Sequence, residues 1–89
     1  MGLQMIPKMD ILRSIDKKRK KLKSQEIPLN QVQDEILLAD KPFSDLLLQL
    51  EKSKLIDVEP LKDWYQDFSS KRSSLFLRIT SEGEKKLRN

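Results

Sequence analysis

Apolar and polar residues in the first third of the chain follow the spacing of a helix. The pattern begins at Lys8, and no glycine or proline interrupts residues 8–26. The apolar residues of this stretch fall close to one stripe: Met9, Ile11, Leu12, Ile15 and Leu22. Pro28 ends the pattern. Because a residue before proline avoids the α region, the sequence predicts a short extended segment over residues 27–29.

Two shorter helices are predicted next. Asn30 is a good N-cap for the second helix, and Gln33 resembles the partner residue of a capping box. The apolar stripe of this helix is Val32, Ile36 and Leu37. Asp40 is the predicted cap of the third helix, which ends near Ser53. The third helix has apolar residues at i, i+3, i+4 and i+7, which are Phe43, Leu46, Leu47 and Leu50. Two short helices with a short connection form a helix-turn-helix, here over about residues 30–53.

After the third helix the pattern changes to the alternation that is typical of a strand. Residues 55–59 alternate, and a turn-rich connection follows over residues 61–73. A second strand is predicted over residues 74–79, with Leu75, Leu77 and Ile79 on one face. Thr80 is the predicted cap of a last helix over residues 81–88. The predicted fold class is α+β and mostly helical.

The composition argues against an enzyme and against a metal site. The chain has 89 residues, which fits a single small domain over residues 1–89. It has no cysteine and no histidine, which removes thiolate metal sites, the commonest metal ligand and the commonest general base. None of the 14 carboxylates has the spacing of a metal loop or a glycosidase pair. The two glycines form no phosphate-binding loop. We therefore expect no enzymatic activity, no cofactor and no metal.

The expected location is the cytoplasm. Residues 1–7 are too short and too uncharged for a secretory signal. No apolar run approaches the roughly 20 residues that are needed to span a bilayer. We expect a soluble protein without a membrane partner.

The charge is unevenly distributed along the chain. The net charge is +4, but residues 1–29 hold 8 basic and 3 acidic side chains, and residues 30–68 hold 4 basic and 9 acidic ones. Residues 69–89 hold 6 basic and 2 acidic side chains. Both ends are therefore basic and the middle is acidic, an asymmetry that bears on the choice of partner.

Two segments resemble a known family. Residues 50–56 read Leu-Glu-Lys-Ser-Lys-Leu-Ile, and the end of the second strand continues as Ile-Thr-Ser-Glu-Gly, which ends at Gly83. Together with the element order over about residues 30–88, they resemble the winged helix-turn-helix transcription regulators of the MarR-like and PadR-like branch. Lys54 stands where that family usually has glycine, so it must adopt a turn conformation that glycine adopts more easily.

The resemblance implies a three-helix core, a two- to three-stranded β-wing over about residues 55–79 and a C-terminal helix over about residues 80–88. It also implies a homodimer that binds double-stranded DNA, with the third helix in the major groove and the wing on the adjacent minor groove or backbone. The first and last helices, the latter with Leu87, are the expected dimer elements, although a monomer is also compatible with the sequence.

The resemblance also names candidate DNA contacts. The exposed face of the third helix would comprise Lys41, Ser44, Asp45, Leu48, Gln49 and Lys52. Gln49 would read adenine, and Ser44 would contact a phosphate or a base. Lys71 and Arg72 would sit at the tip of the wing. The basic run at residues 17–23 adds candidate phosphate contacts at Lys17, Lys18, Lys20 and Lys21, or else it is a solvated helix end.

A second interpretation stays open at this point. The acidic residues around the third helix, Asp40, Asp45 and Glu51, also fit a winged-helix module that binds a protein and does not read DNA. Three aromatic residues, Trp64, Tyr65 and Phe68, either fold back on the core or form a partner surface, and the packed arrangement is preferred.

Overall fold

The computed structural model describes residues 8–88, which form an α+β structure that is mostly helical. The helices are α1 (Lys8–Leu22), α2 (Leu29–Ile36), α3 (Asp40–Lys52), α4 (Phe68–Lys71) and α5 (Ser81–Arg88). The strands are β1 (Ile27–Pro28), β2 (Ile56–Glu59) and β3 (Phe76–Ile79), and a 3₁₀ turn covers Arg72–Ser74. None of the helices in this range is long and apolar enough to cross a bilayer.

The three strands form one antiparallel sheet in the order β1-β3-β2. Ile56 pairs with Ile79, and Val58 and Ile27 both pair with Leu77 from opposite sides. These side chains are buried, while their neighbours along the strands point away from the core, as expected for a sheet with one covered face. The two predicted strands are confirmed, but each is shorter than predicted.

The core lies between the inner face of the sheet and helices α1, α2 and α3. Its buried apolar side chains are Ile11, Leu12, Ile15, Ile27, Leu29, Val32, Phe43, Leu47, Leu50, Ile56, Val58, Trp64, Phe68, Leu75, Leu77 and Ile79. Most of them come from the stripes that the periodicity predicts. Leu46, predicted to be buried, is only half-buried. Trp64 and Phe68 come from the connection between β2 and β3.

The helix ends differ from the predictions because tertiary partners occupy the expected capping residues. Helix α2 begins one residue before Asn30, and α3 begins at Asp40 itself, with Ala39 in the cap position. Neither helix has a side-chain cap, so the predicted capping box and the Asp40 cap are wrong. Leu37 adopts a left-handed conformation with φ 63° and ends α2, instead of extending its apolar stripe. The Thr80 cap is confirmed, because its hydroxyl accepts the Gly83 N–H at 3.0 Å.

The family-like segments meet where α5 starts. Lys54 has φ 62°, the left-handed turn conformation that glycine adopts more easily. Its carbonyl accepts the Thr80 hydroxyl at 2.7 Å, and the next carbonyl, of Leu55, lies against Gly83. A Cβ at Gly83 would lie 2.3 Å from the Leu55 oxygen and 2.8 Å from Ile79 Cγ1. Glycine at this position therefore lets α5 sit directly on the turn that enters β2.

Gly83→Ala tests this close approach. In an open helix this change stabilises by about 1 kcal/mol. Here the nearest atom belongs to the backbone and cannot swing aside, so we expect a loss of about 1–3 kcal/mol in the free energy of unfolding, measured by urea denaturation. Lys86→Ala, on the exposed side of the same helix, is the control and should change stability by less than about 0.5 kcal/mol. A gain in stability for Gly83→Ala would show that the contact is absent.

Candidate nucleic-acid interface

Residues 60–75, the connecting segment between β2 and β3, fold back onto the core. Trp64 is 1% exposed and Phe68 is 6% exposed. The Phe68 ring lies 6.5 Å from the Phe43 ring of α3 and 6.0 Å from the Trp64 ring, distances typical of packed aromatic pairs. These aromatic residues thus pack on the core, which is the arrangement that the sequence analysis preferred. No long β-hairpin projects from residues 8–88, because burial of the aromatic side chains pulls the segment back.

Lys71 and Arg72 are not at the tip of a wing, so that predicted position is wrong. Lys71 ends α4, where its Nζ lies 3.3 Å from the Asp63 carboxylate and donates to the Asp63 carbonyl at 3.1 Å. Arg72 points at the junction of α2 and α3. Its partners are the Asn30 and Gln33 side-chain oxygens, both at 3.0 Å, and the Asp40 carboxylate at 3.7 Å. Both cations therefore hold the connecting segment in place.

Each of the three carboxylates of α3 accepts a hydrogen bond from the connecting segment. The pairs are Asp40 with the Ser69 hydroxyl, Asp45 with the Tyr65 hydroxyl at 2.7 Å, and Glu51 with the Trp64 indole N–H at 3.1 Å. These acceptors follow one another along the length of α3. Asp40 and Glu51 lie on the side of α3 that the connecting segment covers, whereas Asp45 lies at the border of that side and is 41% exposed.

Hydrogen bonding favours the ionised forms of Asp40 and Asp45. The Ser69 hydroxyl and then the Gln33 amide lower the pKa of Asp40. The Tyr65 hydroxyl has the largest effect on Asp45 and lowers its pKa. Lys41 donates to the Tyr65 oxygen at 3.1 Å and lies 3.3 Å from Asp45, and these two contacts raise the pKa of Lys41. Lys41, Tyr65 and Asp45 therefore form one polar group at the edge of α3.

The remaining surface of α3 is a narrow strip. Its exposed side chains, here called the α3 strip, are Lys41, Pro42, Gln49 and Lys52. Asp45 lies beside them, half-exposed, and Leu48 is half-covered, as predicted. Ser44 is only 3% exposed and its hydroxyl donates to the Lys41 carbonyl at 3.0 Å, so its predicted exposure is wrong. The physical reason is that Ser44 faces the connecting segment, next to Tyr65 and Phe68.

The candidate phosphate contacts on α1 have carboxylate partners that the sequence did not reveal. Lys17 and Lys18 lie 3.1 and 3.2 Å from the two oxygens of Glu35 on α2. Lys20 lies 3.2 Å from Asp16, one turn earlier on α1. Lys21 is exposed and has no ion-pair partner within residues 8–88. Lys17, Lys20 and Lys21 stay exposed, whereas the Lys18 side chain is only 20% exposed. The two contacts with Glu35 join α1 to α2.

We find no metal site in residues 8–88 and no similar known protein. Residues 8–88 contain no group of three or more carboxylates that could hold a metal ion. Comparison of the chain with protein-family models, curated protein sequences and solved structures found no match.

Tyr65→Phe tests the polar group at the edge of α3. Loss of the hydroxyl removes the main cause of the shift at Asp45, so the pKa of Asp45 should rise toward 3.8. Carboxyl-detected NMR titration measures this directly. The pKa of Asp40, which is lowered by Ser69 and Gln33, is the internal control and should stay low. An unchanged pKa at Asp45 would contradict the contact with Tyr65.

Glu35→Gln tests the link between α1 and α2. Hydrogen bonds from Lys17, Lys18 and Ser14 lower the pKa of Glu35 from 4.5 to about 2. The stabilisation is thus fully present above pH 4.5 and is lost as the pH falls toward 2. Because the Glu35 side chain is 34% exposed and solvent screens its ion pairs, we expect Glu35→Gln to cost about 1 kcal/mol at pH 7.

Urea denaturation at pH 7 and at pH 2 checks this pH dependence, and Asp34→Asn on the outer side of α2 is the matched control. The variant and the wild type should converge at the acidic pH. An equal loss at both values would mean that packing, and not charge, is responsible.

Proposed function

We propose that the protein is a small winged-helix transcription regulator that binds duplex DNA through the α3 strip. The element order supports this fold. Helix α1 is followed by a short strand, two helices joined by residues 37–39, two paired strands and a final helix. That is the order expected of the regulators that the sequence resembles.

The observation that carries the proposal is the direction of the α3 carboxylates. Asp40 and Glu51 are about three helical turns apart, so they lie on the same side of α3, and both bind the connecting segment. Gln49 follows Asp40 by about two and a half turns and therefore lies on the opposite side. Two of the three α3 carboxylates therefore face away from the α3 strip, whereas Asp45 lies beside it, paired with Lys41 and Tyr65.

The α3 strip has the side chains that DNA recognition needs. Lys41 and Lys52 lie on one side of the helix, about 16 Å apart along its axis. Their long side chains can reach phosphates on both sides of a major groove that is about 12 Å wide. Gln49 is exposed between them and can bond an adenine edge with both its polar atoms. Asp45, which accepts the Tyr65 hydroxyl, would also accept from a cytosine amine.

A second candidate is a protein-interaction module. The acidic residues of α3 suggested this candidate, but their carboxylates accept hydrogen bonds from the connecting segment. One other observation favours it, because Leu37 is 84% exposed in a left-handed conformation at the α2–α3 turn. An exposed leucine in a strained conformation is unusual and is a natural contact for a partner.

Binding to labelled duplexes, measured by fluorescence anisotropy across a range of salt concentrations, tests the DNA proposal. A preferred site is first selected from a random duplex library. Gln49→Ala should cost about 1–3 kcal/mol on the preferred site and little on unrelated duplexes. Lys52→Gln should weaken binding to all duplexes and reduce the salt slope by about 1.

Lys62→Gln, which removes an exposed charge outside the α3 strip, is the control and should bind like the wild type. Absence of salt-dependent binding to any duplex would rule out DNA as the ligand. Retention of a protein partner by the wild type but not by Leu37→Ser, with no DNA binding, would favour the second candidate.

A further inference from the structure

The outward face of α1 carries a row of cations. The exposed side chains at i, i+4, i+7 and i+8, here called the α1 strip, are Arg13, Lys17, Lys20 and Lys21. They extend over about 12 Å of the helix. Helix α1 as a whole holds seven basic residues and two acidic ones. This is the densest positive charge of any element in residues 8–88.

The cations of the α1 strip stay exposed to solvent although most of them form ion pairs. The side chains of Arg13, Lys17 and Lys20 are 63%, 69% and 71% exposed although each has a carboxylate partner. Pairs of this kind contribute about 0–1 kcal/mol each and weaken with salt. A phosphate can therefore join or replace the carboxylate at little cost, and Lys21 has no such partner among the described residues.

The surroundings of the α1 strip favour a polyanion over a membrane or a second copy of the chain. The apolar residues Ile11, Leu12 and Ile15 are completely buried in the core, and a single exposed leucine, Leu22, does not form an apolar face that could insert into a bilayer. Two copies joined through this face would bring cations against cations. Phosphates spaced along a nucleic acid backbone match a row of exposed cations without apolar contacts.

The α1 strip is separate from the α3 strip. Lys17 and Lys18 contact α2 through Glu35, and on the other side of α1 Arg19 contacts Glu84 of α5. The α3 strip is bordered instead by the connecting segment. The α3 strip has only two lysines, whereas DNA-binding proteins draw much of their affinity from several phosphate contacts.

We infer that the α1 strip is a second contact of this protein with duplex DNA, which binds the phosphate backbone independently of sequence. This inference rests on the proposed function. The α3 strip determines which sequence is preferred, and the α1 strip supplies affinity for any duplex. Loss of cations from α1 thus weakens binding to preferred and unrelated duplexes equally.

The double variant Lys20→Gln/Lys21→Gln tests the inference, and Lys62→Gln/Lys86→Gln removes the same charge from exposed positions elsewhere. The salt slope of binding to a preferred and an unrelated duplex should fall by about 1.8 for the α1 variant, which corresponds to two lost phosphate contacts. The control variant should keep the wild-type slope. Circular dichroism and thermal unfolding establish that both variants remain folded.

The outcomes separate the inference from the proposed function. A wild type that binds no duplex contradicts both. A wild type that binds, with an α1 variant of unchanged slope and a Gln49→Ala variant of altered preference, contradicts only the inference. An equal loss in the control variant also overturns it, because net charge alone would then be responsible. The same holds if the α1 variant loses binding only to vesicles of anionic lipid and keeps its affinity for DNA.

Discussion

Phe68 packs against Phe43 of α3 and Trp64 packs against Phe68, and the burial of these rings holds residues 60–75 on α3. Fully burying one large apolar side chain contributes roughly 1.5–3 kcal/mol. A buried indole N–H also needs an acceptor, which Glu51 supplies. The same placement brings Tyr65 to Asp45 and Ser69 to Asp40. The charge pattern on the surface of α3 is therefore a consequence of where two aromatic side chains are buried.

The turn between α2 and α3 also depends on the connecting segment, through Arg72. Its guanidinium connects Asn30 and Gln33 of α2 with Asp40 of α3, and Gln33 also donates to Asp40 at 2.8 Å. A guanidinium suits this role because its several donors lie in one rigid plane. The relative position of α2 and α3, and so the direction in which the α3 strip faces, is set in part by a residue from the connecting segment.

Local sequence patterns predict the order of the elements, the buried face of the strands and most core residues, since these depend on the spacing of apolar side chains. They failed where a residue has a distant partner. Asn30, Gln33 and Asp40 looked like helix caps, but their side chains bind Arg72, Ser69 or one another. Composition marked residues 61–73 as a turn-rich connection, and the sequence did not show that it contains a helix.

Sequence patterns also predict only part of the candidate site. The exposure of Gln49 and Lys52 follows from helical periodicity, because each lies opposite the buried face of α3. The burial of Ser44 does not, since it depends on the connecting segment, which covers α3 only in the folded protein. Likewise, the pairing of Glu35 with Lys17 and Lys18 depends on the packing of α2 against α1, which local patterns do not show.

Trp64 has one further consequence. It is the only tryptophan in the chain, and its ring lies 5.8 Å from Tyr65 while its N–H touches Glu51. Its intrinsic fluorescence thus originates at the contact between the connecting segment and α3. This fluorescence therefore reports whether the connecting segment is attached to α3. It responds to local detachment of the segment as well as to global unfolding.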